Sequence, residues 1–148
     1  MPIITLHPAQ RDDLDTVNNL MQFYLHDLSE WLPLKFAHHG FFPNQLEESY
    51  WRHPATQPFL IHVDDELAGF IIVDNQTHLP NAEHNISYFF LARRWRGQGV
   101  AQLVVSTLLS RIPGQWQIFH IDANPPAQRF WAGLIPRLSG GEFTRRQG

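Results

Sequence analysis

Arg94, Gly97 and Gly99 form the pattern Arg94-x-x-Gly97-x-Gly99. It follows directly on the bulky run Asn85 to Leu91 and leads into a segment with an apolar stripe at Val100, Leu103, Val104, Thr107 and Leu108. A strand that turns through glycines into a helix is suited to holding a phosphate group. Glycine lets the backbone approach an anion without a Cβ in the way, the first N–H groups of a helix point outward, and the helix dipole favours negative charge at that end. Arg93, Arg94 and Arg96 add positive charge at the same place. A dinucleotide fingerprint fits less well, because it needs a third small residue where Gln102 stands and the four upstream strands are wrong for it, although Asp122 has about the right separation. The Gly-Lys-Ser/Thr of a phosphate loop is missing.

Other chemistry is narrowed by composition. With no cysteine there is no disulfide, no thiolate metal site and no cysteine nucleophile. The nine histidines are scattered, and no pair shows ligand spacing beside a carboxylate, so no metal site is expected. Residues 1 to 90 hold twelve acids against three bases, whereas residues 91 to 148 hold eight arginines against Asp122 and Glu142. The last third favours an anion and the first part a cationic partner, while the net charge of -3 gives no general reason to bind nucleic acid.

These residues need elements to position them. Ile3 to Leu6 reads as a first strand stopping at His7-Pro8, and Asp12 and Asp13 open a helix with Leu14, Val17, Leu20, Met21, Tyr24, Leu25 and Leu28 on one face. The proline-broken, aromatic-rich segment Trp31 to Pro58 leaves room for a short helix around Gln45 to Trp51. Phe59–Val63 and Leu67–Val73 flank Asp64-Asp65-Glu66 as a hairpin, and a polar loop from Asp74 to Ala82 leads to the fourth strand, Asn85 to Leu91. After the glycine turn and its helix, Trp116 to Ile121 reads as a fifth strand, and Asn124 caps a last helix that begins at Pro125-Pro126. The length suits one domain over 1–148, and the chain shows neither a secretory signal nor the roughly eighteen apolar residues of a membrane span, so a cytoplasmic location is expected.

The fourth strand with Arg94-x-x-Gly97-x-Gly99, and the fifth strand followed by Asn124-x-x-Ala127-x-x-Phe130-Trp131, resemble the core motifs of the GCN5-related N-acetyltransferase (GNAT) superfamily. The resemblance reaches back to the first strand and runs to about residue 135. It implies an α/β (α+β) fold, a single mixed, mostly antiparallel sheet flanked by helices, with strands four and five splayed around the pantetheine arm of acetyl-CoA. By the same resemblance Phe90 and Leu91 bond that arm, Arg94 and the backbone of Arg96, Gly97, Gln98, Gly99 and Val100 hold the pyrophosphate, and Asn124 and Phe130 face the arm from the other side. The implied reaction is acetyl transfer from acetyl-CoA to a primary amine of a small molecule or peptide by direct attack, with no metal, nucleic acid or membrane involved. An alternative is a CoA-binding regulatory module with weak or no turnover.

That reaction needs a proton acceptor, and Glu83 and His84 at the start of the fourth strand are the nearest ionisable groups, with Tyr88 within it. The family's tyrosine acid corresponds to Trp131, whose indole N–H is a donor but not a usable acid. Tyr88 is the substitute if its hydroxyl reaches the sulfur. Residues 137–148 offer at most one short strand in place of the family's closing hairpin, which leaves a sheet edge open to pairing with a second copy.

Overall fold

The computed structural model describes residues 2–43, 46–77, 79, 81–118 and 125–141. Its elements are β1 (Ile4–Pro8), α1 (Leu14–Leu28), α2 (Glu48–Arg52), β2 (Gln57–Val63), β3 (Glu66–Asp74), β4 (His84–Leu91), α3 (Val100–Arg111), β5 (Trp116–Ile118) and α4 (Pro125–Leu138). Strand order follows chain order, with β1 to β4 antiparallel and β5 parallel to β4. This is the expected single mixed sheet flanked by helices.

Period-two alternation divides the core into two layers. On one face Ile61, Val63, Ile71, Val73 and Ile86 pack with Val100, Val104 and Leu108 of α3 and Trp131 and Leu134 of α4. On the other, Leu60, Phe70, Ile72 and Phe90 meet Val17 and Met21 of α1. A strand covered on both faces loses the polar half of its alternation, which is why β3 reads as the unbroken run Phe70-Ile71-Ile72-Val73.

Three local features differ from expectation or sharpen it. The first strand does not stop at His7, because β1 is an edge strand, where a proline lacking an N–H costs no ladder bond, and Pro8 pairs with Phe59. The β2–β3 turn is only two residues, Asp64 and Asp65, both at positive φ (49° and 67°), as a right-twisted hairpin requires. Glu66 is already in β3, opposite Val63.

The third feature is in β4. Ile72 faces Tyr88 and Val73 faces Ile86, so Ser87 has no partner in the ladder and forms a bulge. On its other side β4 pairs with β5 only through His84, Asn85 and Ile86 among the described residues. Phe119 to Asn124, which include the rest of the expected fifth strand and the Asn124 cap, lie outside the described residues, as do residues 142–148 of the expected final strand.

Candidate functional site

The second half of β4, the α3 N-terminus, the end of α1 with Trp31, and α4 enclose a cleft of about 840 Å3. One arm of it is the glycine turn. Gly97 and Gly99 lie at φ +76° and +79°, and a Cβ built on either meets nothing within 4 Å. The turn therefore needs glycine for its backbone conformation, and the space in front of it is open. The first α3 hydrogen bond is Leu103 N–H to the Gly99 carbonyl at 3.2 Å, which leaves the amides of Val100, Ala101 and Gln102 as the orphan donors of a helix N-terminus. An anion is the natural acceptor for them, so the residues present fit a diphosphate.

The arginines fan out around this turn instead of converging on it. Arg93 and Arg96 line the cleft, and both are paired with Asp27 of α1, at 3.1 and 2.6 Å. Arg96 Nε also donates to the Leu91 carbonyl at 2.8 Å. Arg94 departs from its expected place. A 3-10 turn over Arg93–Trp95 swings successive side chains about 120° apart, and Arg94 pairs with Glu66 at 3.0 Å, stacked on Trp95, outside the cleft lining. The Gln98 side chain braces the turn by donating to the Arg94 carbonyl at 2.7 Å, and the Val100 side chain is wholly buried in the core. Neither side chain lines the cleft, so any contact they make there is through backbone. Phe90, Leu91, Phe130 and Trp131 all line it.

The other arm is polar, and its residues are not among those the sequence singles out. Asp74, only 2% exposed at the end of β3, receives four hydrogen bonds from the described residues. Oδ1 accepts from Gln76 N–H (3.0 Å) and Asn85 Nδ2 (3.2 Å); Oδ2 accepts from Tyr50 OH (2.5 Å) and Ser87 OH. Asn85 also donates to Ser87 Oγ at 2.9 Å and accepts from Gln117 Nε2 at 3.2 Å. Burial, then the hydrogen bond and charge of Asp74, push the Tyr50 phenol far above its ordinary range. Burial and Asp74 also raise Tyr88, and burial with Tyr88 raises Tyr24 to about 12. All three stay protonated at neutral pH.

Of the expected proton-handling residues, Tyr88 lines the cleft, edge-on to Tyr24. Glu83 and His84 do not. They stand where β4 begins and are bound to the loop before β5: His84 Nε2 is 2.9 Å from the Pro113 carbonyl, and Glu83 accepts from Gln115 N–H at 3.3 Å. The one sequence signal for the polar arm is a charged residue closing the apolar run of β3, which the sequence reading assigns to a loop; the strand register sets it opposite Asn85. A smaller hollow of about 410 Å3 near Pro8 and Phe59 has one charged group, Arg111, already bonded to the Leu6 carbonyl at 3.1 Å. Among the described residues no group of three or more ligating side chains could hold a metal ion, and no helix is long and apolar enough to cross a membrane.

The model of the acetyltransferase (GNAT) family matches residues 20–134. A search of curated proteins finds no match. Among solved structures, a ribosomal-protein-alanine N-acetyltransferase from Brucella melitensis biovar Abortus 2308 is similar at TM-score 0.63 and 13% identity, over 99% of this chain and 96% of that one. A spermidine N-acetyltransferase from Vibrio cholerae, in complex with CoA and spermine, gives 0.62 and 17% over 97% and 82%. An aminoglycoside antibiotic 6'-N-acetyltransferase from Acinetobacter haemolyticus gives 0.63 and 11% over 97% and 93%.

Proposed function

Because the chain belongs to the GNAT acetyltransferase family, we propose that it transfers an acetyl group from acetyl-CoA to a primary amine of a small molecule or peptide by direct attack. The same reading takes residues 1–148 as one cytoplasmic domain. The observation that carries it is the joining, in one cleft, of an open helix N-terminus at Gly97–Val100 with the side of β4 beyond Ile86 and a buried polar cluster.

Acetyl-CoA would bring a thioester-activated acetyl group, and the chain would do the rest. The amides at the start of α3 hold the diphosphate, with Arg96 beside them. The backbone of Phe90 and Leu91 lies along the pantetheine arm, and Phe130 covers it. N–H groups of β4 near the Ser87 bulge stabilise the oxyanion that develops on the thioester carbonyl. Trp131 supplies no proton, which leaves the hydroxyl of Tyr88 in the cleft wall as the candidate donor to the sulfur, and a thiolate with a solution pKa of about 8.5 is a tolerable leaving group even without one. Glu30 and Trp31 on the rim of the cleft present a carboxylate and an aromatic face to a cation. Spermidine, aminoglycosides and ribosomal-protein alanine, named for the similar enzymes, support an amine acceptor as a class.

Native mass spectrometry and thiol release together test the reading. The purified protein is expected to carry or take up CoA, and to release thiol from acetyl-CoA with at least one of spermidine, an aminoglycoside and an alanine-initiated peptide. CoA binding with no release on any amine favours the regulatory module; no binding at all removes the ligand class.

A further inference from the structure

The polar arm of the cleft has a direction. A carboxylate only accepts hydrogen bonds, so every donation around Asp74 flows towards it. Leu79 N–H gives to Gln117, Gln117 to Asn85, Asn85 to both Ser87 Oγ and Asp74, and Ser87 and Tyr50 give their hydroxyl protons to Asp74 Oδ2. A serine hydroxyl has one donor and two acceptor positions. The donor of Ser87 is committed to Asp74 and one acceptor position to Asn85. Its one remaining capacity is to accept, and the bulge in β4 places Ser87 in the cleft wall. Such a hydroxyl takes an N–H and offers nothing to a carbonyl or carboxylate.

We propose that Ser87 receives the acceptor amine, and that the Ser87–Asp74 pair is the proton acceptor of the transfer. The proposal rests on the acetyltransferase reading and assigns the step that Glu83 and His84, outside the cleft, do not fill. The neutral amine nitrogen forms a bond to the acyl carbon and becomes a cationic N–H2 centre. Ser87 Oγ takes one of its protons as the hydroxyl proton of Ser87 passes to Asp74 Oδ2. The C–S bond then breaks, its electron pair leaves with the thiolate, and the proton on Asp74 returns through Ser87 to solvent water in the cleft. One amine and one thioester give one amide, one thiolate and one proton. Bonding to the acyl carbon makes the nitrogen far more acidic than a free alkylammonium, so a carboxylate is base enough. Among the described residues, the other ionisable groups facing this pair are Tyr50 from α2 and Tyr88 on β4, with Tyr24 of α1 behind Tyr88, all protonated and none competing for the proton.

The test compares wild type, Ser87→Ala, Ser87→Thr and Asp74→Asn for CoA binding by calorimetry and for acetyl transfer to whichever panel amine the wild type uses. CoA affinity is expected to stay within about threefold in all four, which shows a folded cofactor side. At pH 7, kcat/KM in Ser87→Ala is expected to fall about a hundredfold, the scale of a lost general base, with kcat carrying most of the loss. The deficit narrows towards pH 9.5, where hydroxide replaces the missing acceptor. Ser87→Thr, which restores the hydroxyl, recovers most of the rate, and Asp74→Asn follows Ser87→Ala. Ser87→Ala within threefold of wild type, or a deficit that does not change with pH, overturns the pair while leaving the acetyltransferase reading intact. A wild-type protein that binds CoA and acetylates no amine overturns both.

Discussion

Asp27 Oδ2 lies 2.6 Å from Arg96 Nη2, and the same carboxylate holds Arg93 at 3.1 Å, so one acid on α1 grips two arginines of the turn that faces the cleft. The contact joins the end of α1 to the glycine turn. It also offsets, with one negative charge, the positive field the turn would present to a diphosphate. Asp27→Asn is expected to tighten CoA binding about two- to fivefold at low ionic strength, the effect of removing one charge several ångströms from a screened anion, and to lose that advantage near 0.5 M salt. Calorimetry at two salt concentrations checks both parts; weaker binding in the variant would mean that Asp27 positions the arginines more than it opposes them.

The same carboxylate gives an acid-dependent stability. Partial burial works against its charge, but Arg96 and Arg93 outweigh this and hold its pKa below the ordinary carboxylate value. A depressed acid contributes stability that is present above the unfolded value of about 3.9 and lost as pH falls through the folded one. Thermal melts of wild type and Asp27→Asn are expected to differ at pH 6 and to converge below pH 4. A gap that stays constant down to pH 3 would exclude this linkage.

Gly97 and Gly69 are required for opposite reasons, and substitution separates them. At Gly97 and Gly99 the space is open but φ is positive, so alanine costs roughly 1–2 kcal/mol of backbone strain and leaves the fold standing. At Gly69 a Cβ would sit 2.0 Å from the Phe90 carbonyl oxygen, so β3 and β4 would have to separate. Gly99→Ala is expected to remain folded with CoA affinity reduced at least tenfold; Gly69→Ala is expected to lose about 3 kcal/mol or more, in the range of the largest single-residue effects. Urea unfolding and CoA titration of the two variants give the comparison, and an unaffected CoA affinity in Gly99→Ala would move the diphosphate elsewhere.

The division between what the sequence made legible and what it hid has a physical basis. The hairpin at Asp64-Asp65, the face of α1 and the glycine turn are local: spacing along the chain is enough to infer them, and the structure contains each. The polar arm is not local. Asp74 reads as the start of a loop, since its partners Tyr50, Asn85 and Ser87 come from α2 and β4, and only the strand register brings them together. The bulge at Ser87 is hidden for a related reason: a skipped residue leaves no mark in a strand whose bulky residues already run without alternation. The arginines show the converse error, because neighbours in sequence read as one cluster although the turn sends Arg94 away from Arg93 and Arg96.

Tyr50 tests how much the Asp74 cluster contributes to stability while Ser87 and Asp74 themselves stay in place. Its hydroxyl donates to a buried carboxylate, a class of bond worth about 1.5–3 kcal/mol. Tyr50→Phe keeps the ring and removes the donor. A loss of about 2 kcal/mol in urea unfolding is expected. A change under 0.5 kcal/mol would show that solvent replaces the phenol easily and that Asp74 is less enclosed than its burial implies.

Trp131 stands where the resemblance places a tyrosine acid, and in the structure it is a core residue, packed with Val104, Leu108 and Leu134 and edge-on to Phe130. If indole contributes volume and no proton, Trp131→Phe should leave turnover within about twofold and cost about 1–3 kcal/mol for the space left behind. A drop in kcat of tenfold or more, with stability nearly intact, would give the ring a part in the reaction.

His62 on β2 has a buried Nδ1 with no hydrogen-bond partner among the described residues, and its ring meets His7 of β1 edge-on at 4.6 Å. Burial, and then His7, push its pKa below the ordinary value, against a smaller upward pull from Asp65. The unfolded chain therefore takes up this proton at about pH 6.5, before the folded one does. Stability from keeping His62 neutral is complete above that pH and declines as pH falls towards the folded value. An apolar side chain of similar size removes both the unpaired nitrogen and the titration, and deleting a buried unsatisfied group is close to neutral or stabilising. His62→Leu is thus expected to match wild type within about 0.5 kcal/mol at pH 7.5 and to exceed it increasingly between pH 6.5 and 5. Parallel melting curves for the two proteins across that interval would show that His62 takes its proton as readily folded as unfolded.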